Sequence, residues 1–151
     1  MSYKTLRGKI LYTSLKPERL HQERGREYFS LTLQQDGSKV LHAHCEIDDA
    51  PMVVRDIVLS VDADSYPLDC HCRLTVGHKF EGSGWFRFAK HYAECEVVNQ
   101  RDGRLSQKLD LEQPIRWLGT HPIVADGLAC KIFDLSQGPG KQLFKDMALT
   151  N

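Results

Sequence analysis

No surplus of either charge is present in this sequence of 151 residues: twenty Lys and Arg residues balance twenty Asp and Glu residues, for a formal net charge of +0. A protein that binds nucleic acid by neutralising phosphates normally carries a basic excess. We therefore expect no nucleic-acid partner. Long hydrophobic runs are also missing. No uncharged apolar segment approaches the roughly 20 residues that cross a bilayer as a helix, so we expect no membrane insertion.

The sequence also lacks the marks of secretion and of a common cofactor. Three cations interrupt residues 1–9 before an apolar signal core can form, and the five cysteines are an odd number, which favours reduced thiols in the cytoplasm. The segment Gly82-Ser83-Gly84-Trp85 has neither the third glycine nor the following helix of a phosphate loop, and no Gly-x-Ser-x-Gly elbow occurs. We expect no cofactor, and neither a dinucleotide enzyme nor a nucleophile-elbow hydrolase.

Alternation of apolar and polar residues with period two dominates the chain from about residue 5 to residue 112. Such alternation predicts β-strands, and tight turns at Asp36-Gly37 and Asp102-Gly103 favour antiparallel hairpins. About eight strands are predicted in a meander. They fall at residues 6–12, 28–33, 40–47, 53–61, 68–76, 80–89, 91–99 and 105–112.

The C-terminal part, residues 114–151, has a mixed pattern. Thr120 as an N-cap, Pro122 in the first turn and Gly127 as a stop predict a short helix. Residues 128–135 fit either a continued helix or a ninth strand, and an apolar stripe in residues 143–147 suggests a last helical turn. Residues 147–151 are apolar enough to pack on another surface, a homodimer partner included. Residues 1–151 are predicted to form one domain.

An eight-stranded antiparallel meander leaves two exposed edges unless it closes or folds on itself. The predicted fold class is therefore mainly β, an up-and-down barrel with a short C-terminal helix, with a β-sandwich or a spiral β-roll as the alternatives. This order of strands followed by a helix resembles the lipocalin and calycin group. The resemblance is architectural, since residues 3–12 contain no Trp and so no Gly-x-Trp signature. It implies a cavity for one small, largely apolar molecule.

Candidate ligand-binding residues come from an aromatic segment and from polar residues on apolar faces. Trp85 and Arg87 share one face of a strand, and Phe86 and Phe88 share the other. If the Trp85 face lines the cavity, its indole and the adjacent guanidinium suit a ring with an anionic group. If the Phe86 face points inward, Trp85 and Arg87 lie outside. The remaining candidates interrupt apolar faces or lie near the mouth of the barrel, and they are Tyr12, Gln107 and Arg116.

Histidines are the candidates for acid–base chemistry and for metal binding. An imidazole titrates near neutral pH, and His78, His91 and His121 are the catalytic candidates if the protein is an enzyme. His42 and His44 lie two apart on one strand face and provide a weak alternative as metal ligands. Cys70-His71-Cys72 is not a chelating motif in a strand, because its histidine points away from its cysteines. We therefore expect no metal.

Three functions remain compatible with the sequence. The leading prediction is a protein that binds a small hydrophobic or aromatic molecule, with or without an anionic group, inside the barrel. The alternative is a cofactor-independent acid–base enzyme acting on such a molecule, a lyase, isomerase, cyclase or decarboxylase. The third is a protein-interaction module.

Overall fold

The fold is an eight-stranded antiparallel sheet followed by an irregular segment with one short α-helix. The computed structural model describes residues 3–149. The elements are β1 (Lys4–Thr13), β2 (Glu23–Leu33), β3 (Lys39–Ile47), β4 (Val53–Val61), β5 (Pro67–Val76), β6 (Lys79–Phe88), β7 (Tyr92–Asn99), β8 (Gly103–Asp110), β9 (Trp117–Gly119), α1 (Ile123–Ala129) and β10 (Met147–Leu149), with 3₁₀ turns at Pro17–Arg19, Cys130–Ile132 and Leu135–Gln137.

The strands pair strictly in chain order, from β1 to β8. This order confirms the prediction of a mainly β, antiparallel meander. The two predicted tight turns contain Gly37, with a φ of 86°, and Gly103, with a φ of 72°. Both angles lie in the left-handed region, which glycine reaches without steric cost. These turns fix the register in which β2 meets β3 and β7 meets β8.

The predicted closure into a barrel is wrong. Within residues 3–149 no hydrogen-bonded ladder joins β1 to β8, so the sheet is open and both strands are edges. The irregular segment after β8 covers the inner face of the sheet, where closure would have enclosed a lumen.

The core lies between β2–β6 and the segment from β9 to α1. Leu41, Leu59 and Val61 on the inner face of the sheet are completely buried, and Trp117 and Leu118 of β9 pack against them. Phe86 and Phe88 point to the same side, so Trp85 and Arg87 are on the outer face. Every residue of β8 is exposed, so the core does not extend to this strand.

The C-terminal segment differs in detail from its prediction. Helix α1 begins at Ile123, after Pro122, and continues through Gly127. No side chain of the preceding residues caps it. Residues 147–149 form β10, which pairs in parallel with β9 instead of forming a helical turn. The predicted packing surface at residues 147–151 lies partly outside the described residues. None of the helices within residues 3–149 has the length and apolar character needed to cross a membrane.

Candidate functional site

Cross-strand neighbours arrange the inner face of the sheet in rows of distinct chemistry. In one row the core side chains are large except for Cys70, and Leu31, Leu41, Leu59, Cys70 and Phe86 lie opposite one another in turn. In the next row small residues alternate with large ones, and the small ones are Gly8, Ala43, Cys72 and Gly84. The third row carries polar side chains, Glu27, Cys45, Arg55 and Asn99, together with Leu74 and Gly82. On the inner face, the space beside the small residues therefore lies next to polar side chains.

A cavity of about 310 Å³ opens where the small row meets the polar row, and we call it the inner pocket. Gly82 and Gly84 of β6 form part of its floor. A Cβ atom at Gly84 would stand 3.0 Å from the Phe86 ring and 3.2 Å from Val97, so a side chain there would crowd the pocket. The apolar wall consists of Ile57, Cys72, Leu74, Phe86 and Val97, and the polar and charged residues of the lining are Arg55, Arg73, Glu81, Ser83, Asn99 and His121.

Arg55 brings a positive charge to this apolar pocket. Its side chain is half-buried on β4, between Cys45 of β3 and Leu74 of β5. Within the described part of the chain its guanidinium has no hydrogen bond or ion pair. A guanidinium removed from water without a partner is costly, and a carboxylate or phosphate is its best partner because two parallel N–H···O bonds can form. The half-buried Arg55 is therefore a cation of the inner pocket that is available to pair with an anion.

His121 reaches the same pocket from the loop before α1. Burial lowers the pKa of this imidazole below its ordinary value of 6.5, and the positive charge of Arg55 lowers the pKa further. The ring is therefore neutral at pH 7 and able to accept a proton. Of the three histidines predicted as acid–base groups, His121 is the one that the structure places in the inner pocket.

Next to the pocket lies the carboxylate of Glu27, whose side chain is completely buried. Its Oε2 accepts a hydrogen bond from the backbone N–H of Ile123 at 2.9 Å, and its Oε1 accepts one from the N–H of Val124 at 2.7 Å. The hydroxyl of Tyr12 and the thiol of Cys45 also donate to Oε2. These donors compensate the burial of the charge, and Glu27 thereby caps α1 from a strand almost one hundred residues away.

The surroundings of Glu27 also determine the protonation state of Tyr12 and Cys45, which donate to it. Burial and the hydrogen bond to Glu27 raise the pKa of Tyr12 far above its usual value. Burial raises the pKa of the Cys45 thiol to about 11. Both groups therefore stay protonated and donate at physiological pH. Tyr12, predicted as a ligand residue, thus helps to hold β1, β2 and α1 together through its hydrogen bond to Glu27.

The other predicted ligand residues lie away from the inner pocket. Trp85 lines a separate groove of about 500 Å³ on the outer face, where its ring centroid lies 6.4 Å from that of His71. Arg87, on the same face, contacts Glu94 at 3.5 Å. Gln107 is exposed on the inner side of β8. Arg116 donates to the backbone oxygen of Asp64 at 3.4 Å and lies over the ring of Tyr66.

The remaining histidines are far apart. His78 lies exposed in the turn between β5 and β6, and His91 lies exposed in the turn between β6 and β7. His42 and His44 share the outer face of β3, and His44 bonds Asp56 at 2.6 Å through Nδ1 and Glu46 at 3.3 Å through Nε2. Within residues 3–149, no group of three or more His, Cys, Asp or Glu side chains is arranged to hold a metal ion.

Arg55 and Glu27 were not among the residues predicted from the sequence. A signal for both was present, because each interrupts the apolar face of a strand. Arg55 has the parity of the buried Ile57 and Leu59, and Glu27 has the parity of Phe29 and Leu31. The same criterion identified Tyr12 and Gln107.

The fold and the pocket define an open antiparallel sheet with a small cavity on its covered face. Comparison with known proteins adds no assignment: no family model, no curated protein and no solved structure matches this chain.

Proposed function

We propose that this protein binds a small, largely apolar molecule with an anionic group, and that the molecule occupies the inner pocket. The observation that carries the proposal is the half-buried Arg55 guanidinium, which has no hydrogen-bonding or ionic partner in the described residues and lines a cavity with apolar walls. The cavity volume of about 310 Å³ lies at the lower end of the range for ligand pockets, about 300–1,000 Å³. A lipocalin-like use of the sheet, with the ligand against its inner face, belongs to this proposal.

Two interactions favour such a ligand. The anionic group pairs with Arg55, and the low local polarity of the pocket strengthens this pairing relative to water. The apolar part covers Ile57, Phe86 and Val97, which gains about 25 cal/mol for each Å² of apolar surface removed from water. Asn99, at the polar end of the pocket, already uses its side-chain amide in the turn after β7, where it accepts from the Asp102 N–H at 2.6 Å and donates to the Asp102 carboxylate at 3.4 Å. An aromatic or short aliphatic carboxylate meets these requirements.

The test is a calorimetric titration of a panel of aromatic and aliphatic carboxylates, each paired with its uncharged primary amide. We expect carboxylates to bind and the amides to bind at least tenfold more weakly, since loss of a charge-assisted pair costs about 1.5–3 kcal/mol. Arg55→Met should abolish the preference for the carboxylate. Arg87→Met is the matched control on the outer face and should leave it unchanged. Equal binding of acid and amide, or loss of binding in Arg87→Met alone, contradicts the proposal.

A second candidate function rests on the neutral imidazole of His121, which shares the pocket with Arg55. If Arg55 holds the carboxylate of a substrate, His121 has the protonation state to remove a proton from a neighbouring carbon or hydroxyl. This is the chemistry of a cofactor-independent isomerase or lyase. Proton NMR in D₂O tests it, because catalysis exchanges the substrate's acidic C–H for deuterium, and His121→Gln should stop the exchange while preserving binding. Binding without exchange for every ligand that binds excludes this candidate.

We also propose a cytoplasmic location for the protein, which the five free cysteines support. Fractionation of cells that produce the protein tests this location directly.

A further inference from the structure

The edge strand β8 has unused pairing capacity along its whole length. All eight of its residues, Gly103–Asp110, are exposed, and β7 is its one partner within residues 3–149. Its inner side carries Leu105 and Leu109, whose side chains are 42% and 64% exposed. A long edge with exposed apolar side chains is a template for another strand.

The backbone of β8 shows which groups are free. The N–H of Leu111 donates to the oxygen of His91 at 2.9 Å, so Leu111 is directed toward the chain segment that continues into β7. Neighbouring strand residues alternate in the direction of their N–H and C=O groups. The odd-numbered residues of β8 therefore bond to β7. The even-numbered residues, Arg104, Ser106, Lys108 and Asp110, direct their N–H and C=O groups to the open edge.

We propose that β8 pairs antiparallel with β8 of a second copy of this chain, about a two-fold axis through Gln107. In this register Arg104 faces Asp110 of the partner copy, and Ser106 faces Lys108. These are the hydrogen-bonded pairs, in which the free backbone groups of both strands are satisfied. The inner side places Leu105 opposite Leu109. In such an interface each contact occurs twice, and the two sheets join into one.

Charge complementarity selects this register. The smallest shift that keeps the even-numbered residues hydrogen-bonded moves the partner strand by two residues. In one direction this shift places Arg104 opposite Lys108, and in the other direction it places Lys108 opposite itself. Both shifts oppose like charges, which is destabilising. In addition, Asp110 has no ion-pair partner in the described part of the chain. Arg104 lies beside Glu96, but 75% of its side chain is exposed and accessible to a partner copy. The proposed pairing gives Asp110 a cation.

The same register accounts for the polar residue on the apolar face of β8. Gln107 lies between Leu105 and Leu109, where the alternation predicts an apolar side chain. On the two-fold axis its amide meets the amide of the partner's Gln107 in a non-hydrogen-bonded backbone pair, where side chains are closest. Each amide can then donate to the other. A polar pair at one position of an apolar contact sets the register.

The opposite edge of the sheet does not have this self-complementarity. β1 carries Lys4, Arg7 and Lys9 and no acidic residue between Lys4 and Thr13. Antiparallel pairing of β1 with itself would bring cations together, and lysines on an edge strand oppose such pairing. The dimer therefore uses β8 and not β1.

The experiment measures molar mass by light scattering over a concentration series. The wild-type protein is expected to reach twice 17.2 kDa. Asp110→Arg and Arg104→Asp each place like charges opposite one another at two symmetric positions, and each variant alone should dimerise about tenfold more weakly. An equimolar mixture of the two variants restores opposite charges at both positions, so the mixture should form heterodimers as tightly as the wild-type protein dimerises.

Two further variants separate the interface from the fold. Ser106→Pro removes an N–H at the open edge without removing a bond to β7, and it should yield a monomer with an unchanged far-UV circular dichroism spectrum. Lys4→Asp reverses a charge on β1 and should leave the dimer intact. A wild-type monomer throughout the micromolar range would overturn the proposal. So would a mixture that dimerises no better than its two components, or growth beyond the dimer through pairing of β8 with β1.

Discussion

Replacement of Glu27 tests whether a single buried carboxylate holds the C-terminal segment on the sheet. In the native protein this carboxylate accepts hydrogen bonds from Ile123 N–H, Val124 N–H and the hydroxyl of Tyr12. Glu27→Gln preserves the shape of the side chain but replaces one accepting oxygen by an NH₂ group. Because an amide has one acceptor, at least one of the buried donors loses its partner and faces another donor.

The expected loss of stability follows from the number of donors left unpaired. A buried donor without a partner costs about 1–3 kcal/mol, and the remaining bonds weaken when the acceptor loses its charge. Relief from burying that charge offsets part of this cost. We expect Glu27→Gln to lower the free energy of unfolding by about 2–3 kcal/mol. Glu27→Ala, which leaves all the donors unpaired and creates a cavity, should lower it by about 3–5 kcal/mol. These are large fractions of a typical total of about 5–15 kcal/mol.

Urea unfolding followed by tryptophan fluorescence measures these changes, because Trp117 is buried next to the segment that Glu27 holds. Thermal unfolding should show a Tm lower by about 5–10 °C for Glu27→Gln. Glu18→Gln, at an exposed position, is the matched control and should stay within about 0.5 kcal/mol of the wild-type protein. A Glu27→Gln protein as stable as this control would refute the role of the carboxylate.

Three further predictions concern single side chains. The hydrogen bond that His44 donates through Nδ1–H to the Asp56 carboxylate raises the pKa of His44 above its ordinary value of 6.5, so the native state holds the proton more tightly than the unfolded state. The resulting stabilisation is complete below pH 6.5 and is lost as the pH rises through the folded-state pKa. Urea unfolding at several pH values should therefore show that His44→Asn lowers the free energy of unfolding most at low pH. An equal effect at pH 5 and pH 9 would contradict this. Gly127→Ala should raise the free energy of unfolding by about 0.5–1 kcal/mol, because Gly127 is inside α1 with no atom within 4 Å of an added Cβ; a decrease in the unfolding midpoint would be inconsistent with this geometry. Cys130 is exposed, whereas burial raises the pKa of Cys70 to about 12. A thiol reagent at neutral pH should therefore modify Cys130 at once and Cys70 only on unfolding, as mass spectrometry of the labelled peptides would show. Early labelling of Cys70 would disprove its burial.

The strands were predictable because their signal is local. Alternation with period two, bounded by turns such as Asp36-Gly37, depends on residues a few positions apart. Closure of the sheet was not predictable, because it depends on whether β1 meets β8 across the whole domain. The end of the chain is irregular for a related reason. Its helix α1 is capped by Glu27 of β2, and no local pattern contains that contact.

The candidate site was predictable where a residue breaks a strand pattern. Tyr12, predicted in this way as a ligand residue, lies beside Glu27 and not in the inner pocket. The aromatic segment lies on β6, the strand that forms part of the pocket floor. The choice between the faces of β6 was not available from the sequence, since Trp85 and Phe86 both suit a cavity wall. That choice depends on which face the residues after β8 cover. Arg55 was missed because its strand was judged by its apolar residues, although its interruption of the apolar face was visible.

The most direct test of the proposed binding site is a measurement of where an aromatic carboxylate binds. Intermolecular nuclear Overhauser effects between the ring protons of the ligand and the protein locate it without any substitution. We expect contacts to the methyl groups of Ile57, Leu74 and Val97, which line the inner pocket. Contacts confined to the indole of Trp85, on the outer face, would contradict binding in the inner pocket.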